Sequence, residues 1–565
     1  MNLTVPEKGN YSVREDRNVY VAMRDGVHLC VDVFRPNVEG KKFPALLAMS
    51  PYGKWKQSLK LSPQTHESPI FDAAIEAGDP YFLAKNGYAH AIADVRGSGN
   101  AEGDYHGWMS KFEARDGYDL VEWIASQEWC DGNVGMVGIS YFGTIQLMVA
   151  AEQPPHLKAI MPWNGVADFY REATHHGGMF QNFFMYLYSS AIPASTFVSD
   201  IKASKKEIFQ QELLKDESLQ MYPDLFKYAE NPALNGNMFD IMAEKYDGPF
   251  YWERSPNTMY DKIKIPVYCE SNWWAYAHMH LYGAFWNFLG IDASKKLQIG
   301  PTVIEERPLG RDYNEEVLRW YDHWLKGIEN GIMEEPPIRL FVRGANRWRF
   351  ESEWPLKRTM WTSFYLASGG RLTTELEEPV TGPDCFVQQP VIENPSINSV
   401  KYVAPLLEDE FELTGPGAFY MHAAIDQTDT NWIVSLRDWG DDGSEVEITK
   451  GFLKASHRAL DIQRSKPWEP WHPHDRSEPV EPHQIYEYVI SLAPMSCVFK
   501  RGHRLKLVIC SMDHAKSRDT RIAPLSMGRN HYPWHLGIRK TILHKIFFGP
   551  DYPSRLYLPV VPRRE

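Results

Sequence analysis

The chain has 565 residues, too many for one hydrophobic core, so two or three domains are expected. Its net charge of −13 and pI near 5.9 argue against nucleic acid or an anionic membrane surface as the main partner. Six scattered cysteines (Cys30, Cys130, Cys269, Cys385, Cys497 and Cys510), with no CxxC pair, read as reduced thiols of a cytoplasmic protein, not as a disulfide framework or a zinc site.

The opening "MNLTVPEKGNYSVREDRN" lacks the basic and apolar regions of a signal peptide, and no apolar run reaches the roughly 18 residues of a membrane span. "VYVAMRDGVHLCVDVFRP" alternates apolar and polar residues around Asp25-Gly26, a hairpin signal. "FPALLAMSPYG" and "YAHAIADVRGSG" are short apolar runs ending in turn residues, which suits buried parallel strands. "ARDGYDLVEWIASQEW" has helical spacing, and "VGMVGISYFGTIQLMVAA" runs from a strand into a small-residue helix with Ser140 at the bend. The strand-like pieces "LKAIMPWNG", "IPVYCESNWW" and "KKLQIGP" follow, so strands alternate with helices as in a doubly wound α/β sheet. Roughly Arg171 to Asp261 breaks this rhythm, and "IKASKKEIFQQELLKDESLQ" predicts an amphipathic helix within a mostly helical insertion over the strand ends. "EEVLRWYDHWLKGI" closes the α/β part as a helix. After Pro336-Pro337, pieces such as "IRLFVRG", "GAFYMHAAI" and "RLKLVICSM" are short alternating strands between Gly, Pro and Asp turns, the spacing of an all-β sandwich.

Several stretches, in order and over nearly the whole chain, resemble the cocaine esterase and X-Pro dipeptidyl-peptidase family of α/β-hydrolases (CocE/NonD type), which also contains cephalosporin acylases. They are "MRDGVHLCVDVFRP", "SPYGKW", "DVRGSGNAEGDY", "DGNVGMVGISYFG", "VLRWYDHWLKG", "FVRGANRWRFESEWP", "GFLKASHRALD" and "FKRGHRLKLVI". The resemblance implies an α/β-hydrolase domain over residues 1–170 and 262–335, a helical cap over 171–261 and a C-terminal jelly-roll β-sandwich over 336–565. It also implies dimers formed through broad surfaces. Proline-specific peptidase activity does not follow, because nothing marks a pocket for a substrate amino terminus.

A serine between Gly138 and Gly143 at a strand-to-helix bend is the pattern of a nucleophile elbow. The resemblance assigns Ser140 as nucleophile. It assigns the Tyr141 backbone N–H and the Tyr52 hydroxyl as donors to the developing oxyanion. The plain alternatives are a helix-capping serine and a packed loop aromatic. The family's acid position falls on Ala275 and its histidine position near Val303 and Ile304, with no histidine until His323. A serine hydroxyl is a poor nucleophile without a base. His280 is the first choice for a relocated base or a substrate hydrogen-bonder, ahead of His278, and a polar surface or cap residue is the alternative for it. His175 and His176 are candidates for the pocket wall. Asp168 is a displaced acid or a turn residue, and Glu305 and Glu306 are carboxylates near the missing histidine or solvated loop charges.

Other patterns carry less. "RGSGNAEG" lacks the ending of a P-loop, and Asp441-Asp442-Gly443 lacks the ligand spacing of a calcium loop. The resemblance places His457 and His503 in the sandwich and its seam with the α/β domain, as structural residues. His472 and His474 share a Pro/Trp-rich loop that is assigned no metal. No cofactor is implied. The expected partner is a small-molecule substrate. Three activities fit: hydrolysis of an ester, amide or lactone of an apolar small molecule; a lyase, isomerase or cyclase using the same oxyanion donors; or ligand binding without turnover.

Overall fold

The computed structural model describes residues 11–58, 76–182, 197–273, 279–301, 311–394, 396–513 and 534–562, together with positions 185, 192 and 194. Strands β1 (Val13–Ala22) and β2 (His28–Pro36) form the expected antiparallel hairpin around Asp25-Gly26. They are followed by β3 (Phe43–Ser50), β4 (Ala89–Asp94), β5 (Cys130–Met136) and β6 (Leu157–Ile160). The short hairpin β7 (His175–His176) and β8 (Met179–Phe180) stands apart from the sheet. Then come β9 (Val267–Asn272), β10 (Lys295–Gly300), β11 (Ile338–Val342) and β12 (Arg347–Glu351). The ten-stranded sheet has the order β1-β2-β4-β3-β5-β6-β9-β10-β11-β12. Every neighbouring pair from β4 to β11 is parallel.

Among the described residues the seven principal helices are α1 (Lys111–Ser126), α2 (Tyr141–Ala151), α3 (Ala203–Leu214), α4 (Pro223–Glu230), α5 (Gly236–Ala243), α6 (Leu281–Gly290) and α7 (Arg311–Lys326). They cover both faces of the sheet, and strand β3 shows why its sequence is apolar throughout. Ala45, Leu47 and Met49 enter one core cluster while Leu46 and Ala48 enter the cluster on the other face. Helices α3 to α5 form the insertion between β6 and β9. The helix expected over "IKASKKEIFQQELLKDESLQ" is shorter than its pattern. Its end is fixed where the Asp216 carboxylate accepts the N–H groups of Ser218 and Leu219 instead of facing the helix surface.

The remaining strands are β13 (Met360–Ala367), β14 (Arg371–Thr373), β15 (Asp384–Gln388), β16 (Ser399–Val403), β17 (Phe411–Ile425), β18 (Asn431–Trp439), β19 (Glu445–Lys454), β20 (Tyr486–Phe499), β21 (Arg504–Cys510), β22 (Ile542–Phe547) and β23 (Arg555–Val561). They form one sheet that curls shut where β17 pairs with both β20 and β23, a closed flattened barrel around a single apolar cluster. "IRLFVRG", expected in this second sheet, lies instead at the end of the first. Ile338 to Leu340 pair in parallel with Leu297 to Ile299 of β10, whose edge would otherwise stay open. The chain reaches the barrel one residue later, where Arg343 exchanges backbone hydrogen bonds with Ser496 (3.2 Å) and Val498 (2.8 Å) of β20. Among the described residues no helix is long and apolar enough to cross a membrane.

Candidate active site

The turn between β5 and α2 holds Ser140 at φ 61° and ψ −114°, a conformation that L-residues rarely adopt. Two glycines permit it. A Cβ on Gly138, itself at φ 131°, would stand 2.4 Å from the Cβ of Phe142, and one on Gly143 would stand 2.3 Å from the Trp163 carbonyl oxygen. The turn is tied down by the Ser140 N–H, which donates to Trp163 O (2.8 Å), and by Thr144, whose N–H (2.8 Å) and hydroxyl (3.0 Å) both donate to Ser140 O. Ser140 is half-buried, so the elbow offers its hydroxyl to the space above the sheet.

His280 comes from 140 residues further along the chain and meets it: Nε2 lies 3.3 Å from Ser140 Oγ. The imidazole sits at the N-cap of α6 and is fully buried. Burial lowers its pKa to about 3, which favours the neutral ring near neutral pH. For Nε2 to accept the hydroxyl proton, the ring proton resides on Nδ1.

Tyr52 stands on the loop after β3, and its ring packs edge-on against those of Tyr141 and Phe142, the two residues that follow Ser140 (centroids 5.6 and 6.2 Å). The buried Asp94 carboxylate organises that loop by accepting the N–H of Lys54 (2.6 Å) and of Asn100 (3.0 Å). The motifs "SPYGKW" and "DVRGSGNAEGDY" therefore meet at one side chain. Tyr141 opens α2, where an N–H has no carbonyl one turn back within the helix. Its hydroxyl donates to Glu113, a fully buried carboxyl that burial pushes up to about 8.

The other candidates are distributed differently. Asp168 is engaged by Arg171 through both the backbone N–H (2.9 Å) and Nη1 (2.8 Å), which makes it the cap of a turn and ion-pair partner instead of an acid for His280. His175 stacks on Tyr170 and lines a cavity of about 250 Å³ between hairpin, insertion and barrel; Ser140, Tyr52 and His280 are not among its walls. His176 bonds to Glu172 O and to His535. His457 pairs with His474 at the seam (3.1 Å), and His503 with Asp438 in the barrel (2.8 Å), as structural side chains do. Both ring nitrogens of His472 lie 2.9 Å from backbone carbonyls, those of Ala459 and Val489. Among the described residues no group of three or more His, Cys, Asp or Glu could hold a metal ion. Ala275, His278, Val303, Ile304, Glu305 and Glu306 lie outside the described residues. Sequence reasoning missed two buried carboxyls behind the site, Glu113 and Glu172. A helical Glu on an otherwise apolar face is the signal that could have found the first.

Comparison with known proteins agrees with this architecture. The profile of the X-Pro dipeptidyl-peptidase (S15 family) matches residues 25–303, and that of the X-Pro dipeptidyl-peptidase C-terminal non-catalytic domain matches residues 330–556. The chain is 25% identical to cocaine esterase of Rhodococcus sp. (strain MB1 Bresler), over 98% of this chain and 100% of that protein. It is 22% identical to a putative Xaa-Pro dipeptidyl-peptidase of Bacillus cereus, over 89% and 87% of the two chains. Among solved structures, a CocE/NonD family hydrolase from Staphylococcus aureus superposes with a TM-score of 0.75 at 24% identity, over 97% of this chain and 94% of that one. An α-amino acid ester hydrolase gives 0.71 at 19% identity, over 98% and 97%. The two profiles together span the α/β sheet and the closed C-terminal barrel: the chain belongs to the X-Pro dipeptidyl-peptidase (S15) family of α/β-hydrolases.

Proposed function

We propose that the chain is a serine acyl hydrolase that cleaves an ester, amide or lactone of a fairly apolar small molecule, with Ser140 as nucleophile and His280 as base. The observation that carries this is the 3.3 Å approach of His280 Nε2 to the strained Ser140 hydroxyl. As Oγ bonds to the substrate carbonyl carbon, Nε2 takes the hydroxyl proton. The oxyanion accepts hydrogen bonds from the Tyr141 N–H and the Tyr52 hydroxyl. The bond to the leaving group then breaks and His280 returns the proton to it. Water, deprotonated by the same ring, releases the acid and restores Ser140. The relatives, an esterase and a putative dipeptidyl-peptidase, span the ester and amide bonds on which this sequence of steps acts.

A fluorophosphonate probe is expected to label the wild type once, at Ser140, and to leave Ser140→Ala unlabelled. Tyr52→Phe is expected to lower kcat by about 10²–10³-fold. Absence of labelling between about pH 5 and 9 would sink the proposal. The weak basicity of His280 favours a second reading, in which the pocket polarises a carbonyl in a lyase, isomerase or cyclase. In that case Ser140→Ala keeps most turnover and Tyr52→Phe loses it.

A further inference from the structure

The loop from Trp163 to Asp168 lies between the helix that begins after Ser140 and the helix that begins after His280. Towards the nucleophile it is joined by the Ser140 N–H to Trp163 O bond (2.8 Å) and by the Val166 N–H to Thr144 Oγ1 bond (2.9 Å). Towards the base it is joined by two side chains, Glu172 and Asn287. Glu172 is wholly buried, and its Oε1 accepts the N–H groups of Ala167 (2.7 Å) and Asp168 (2.9 Å) while its Oε2 accepts the N–H of Gly283 (2.6 Å). Gly283 is in the first turn of α6, three residues after His280, where helical N–H groups have no partner within the helix. A Cβ at this position would stand 2.3 Å from Gly165 O and 2.8 Å from Glu172 Oε2, so only glycine lets the helix come this close. One turn on, Asn287 Nδ2 donates to Gly165 O (3.2 Å).

Glu172 is itself held on its backbone. It lies in the π-helical turn Phe169–Thr174, its N–H donates to Asp168 O (3.0 Å), and its carbonyl accepts from His176 Nε2 (2.7 Å). His176 Nδ1 then accepts from His535 Nε2 (2.9 Å), whose Nδ1 bonds to Asp513 (2.8 Å). His535 and Asp513 belong to the barrel part of the chain, so the turn carrying Glu172 is clamped from both parts of the molecule.

We infer that Glu172 is the positioning residue that sets the separation of Ser140 and His280, by locking the start of α6 to the loop on which the nucleophile elbow rests. This rests on the hydrolase reading for its kinetic consequence, though not for its geometric one. A misplacement of about 1 Å between reacting groups costs on the order of 10²-fold in rate. Glu172→Ala is therefore expected to lower kcat by about 10²-fold and to change KM by less than about threefold. In the crystal structure of the variant, Nε2 is expected beyond hydrogen-bond reach of Oγ. Gly283→Ala keeps the carboxyl but pushes the helix away, and is expected to reproduce both results, which keeps the question open to decision if Glu172→Ala does not fold. Ser255→Ala serves as control: it removes the acceptor of the Phe169 N–H (2.9 Å) in the same turn and leaves both Glu172 and Gly283 in place, so it should lower the melting temperature and leave kcat unchanged. Retention of wild-type kcat and of the 3.3 Å contact in Glu172→Ala or Gly283→Ala would overturn the inference. If the wild type neither turns over esters nor takes the probe, the hydrolase reading fails while the Oγ to Nε2 distance in the variants still decides the role of Glu172.

Discussion

Ser140 and His280 are neighbours in space, yet they are held there by different kinds of contact. The elbow is enforced within one strand–turn–helix–strand unit, by the clearance at Gly138 and Gly143 and by bonds to Thr144 and Trp163. The proposed base, His280, precedes a helix bonded to Glu172, 111 residues distant from Gly283 in sequence, and its imidazole is buried. Steric exclusion by backbone is insensitive to substitution elsewhere, whereas a buried carboxyl shared by three N–H groups loses its function as a unit. The nucleophile side should therefore survive changes that disable the base side.

The largest effect that separates the two sides is expected from His280→Ala. Loss of a positioned general base costs about 10²–10⁴-fold in kcat, while the elbow should keep its conformation, as a crystal structure of the variant would show. If Ser140 relaxes out of its positive φ in that variant, the two sides are not independent and the contrast between them fails.

Acid should act on stability and on catalysis in different ways. His90, His280 and His544 are pushed to about 3 and His457 to about 4, all by burial. The unfolded chain takes protons at these rings near the ordinary value of 6.5 and the folded chain does not, so stability is full above 6.5 and declines as pH falls. Each fully buried ring costs up to about 2 kcal/mol at about pH 5, and the melting temperature should drop steadily from about pH 7 to about pH 5. The catalytic step should not follow it. A base of ordinary pKa would lose about tenfold in activity by about pH 5.5, whereas kcat/KM measured below the melting temperature should stay flat there, because His280 remains neutral. A kcat/KM that halves near about pH 6.5 would show that the ring acting as base is not the buried one.

The same division governs how much can be read in the sequence. Strand β3 is legible because burial on both faces demands an unbroken apolar run. The elbow is legible because a serine at a strand-to-helix bend needs a glycine on each side to clear the neighbouring backbone. The barrel strands are legible from alternation. That pattern is shared by any half-buried strand, which is why Ile338–Val342 reads as part of the second sheet while it belongs to the first: its five residues alternate equally well in either. His280 can be picked from its place just before an apolar helix. Glu172 cannot, since a glutamate in "ADFYREATHH" looks like any polar turn residue until Gly283 is brought to within 2.6 Å of it. Long-range polar contacts leave no periodic trace, so the part of the site that depends on them stays hidden in a single sequence.

The smallest expected effect concerns Glu113, which touches the nucleophile side from behind through the Tyr141 hydroxyl. Burial raises this carboxyl to about 8, so the folded protein keeps a proton that the unfolded chain releases near 4.5. Here the sign is opposite to that of the histidines: stability contributed at low pH is lost as pH rises from 4.5 to about 8. Gln at this position holds no proton to lose and preserves the shape, with hydroxyls of Tyr141 and Ser110 able to accept as well as donate. Glu113→Gln should therefore be indistinguishable from the wild type in melting at about pH 4.5 and more stable by up to about 4 kcal/mol at about pH 8. Because the elbow is fixed by Gly138, Gly143, Thr144 and Trp163, the rate of fluorophosphonate labelling at Ser140 should not move with that gain. A stabilised variant with a changed labelling rate would mean that the buried Glu113 and Tyr141 pair also tunes the nucleophile, and the elbow would no longer count as a purely steric construction.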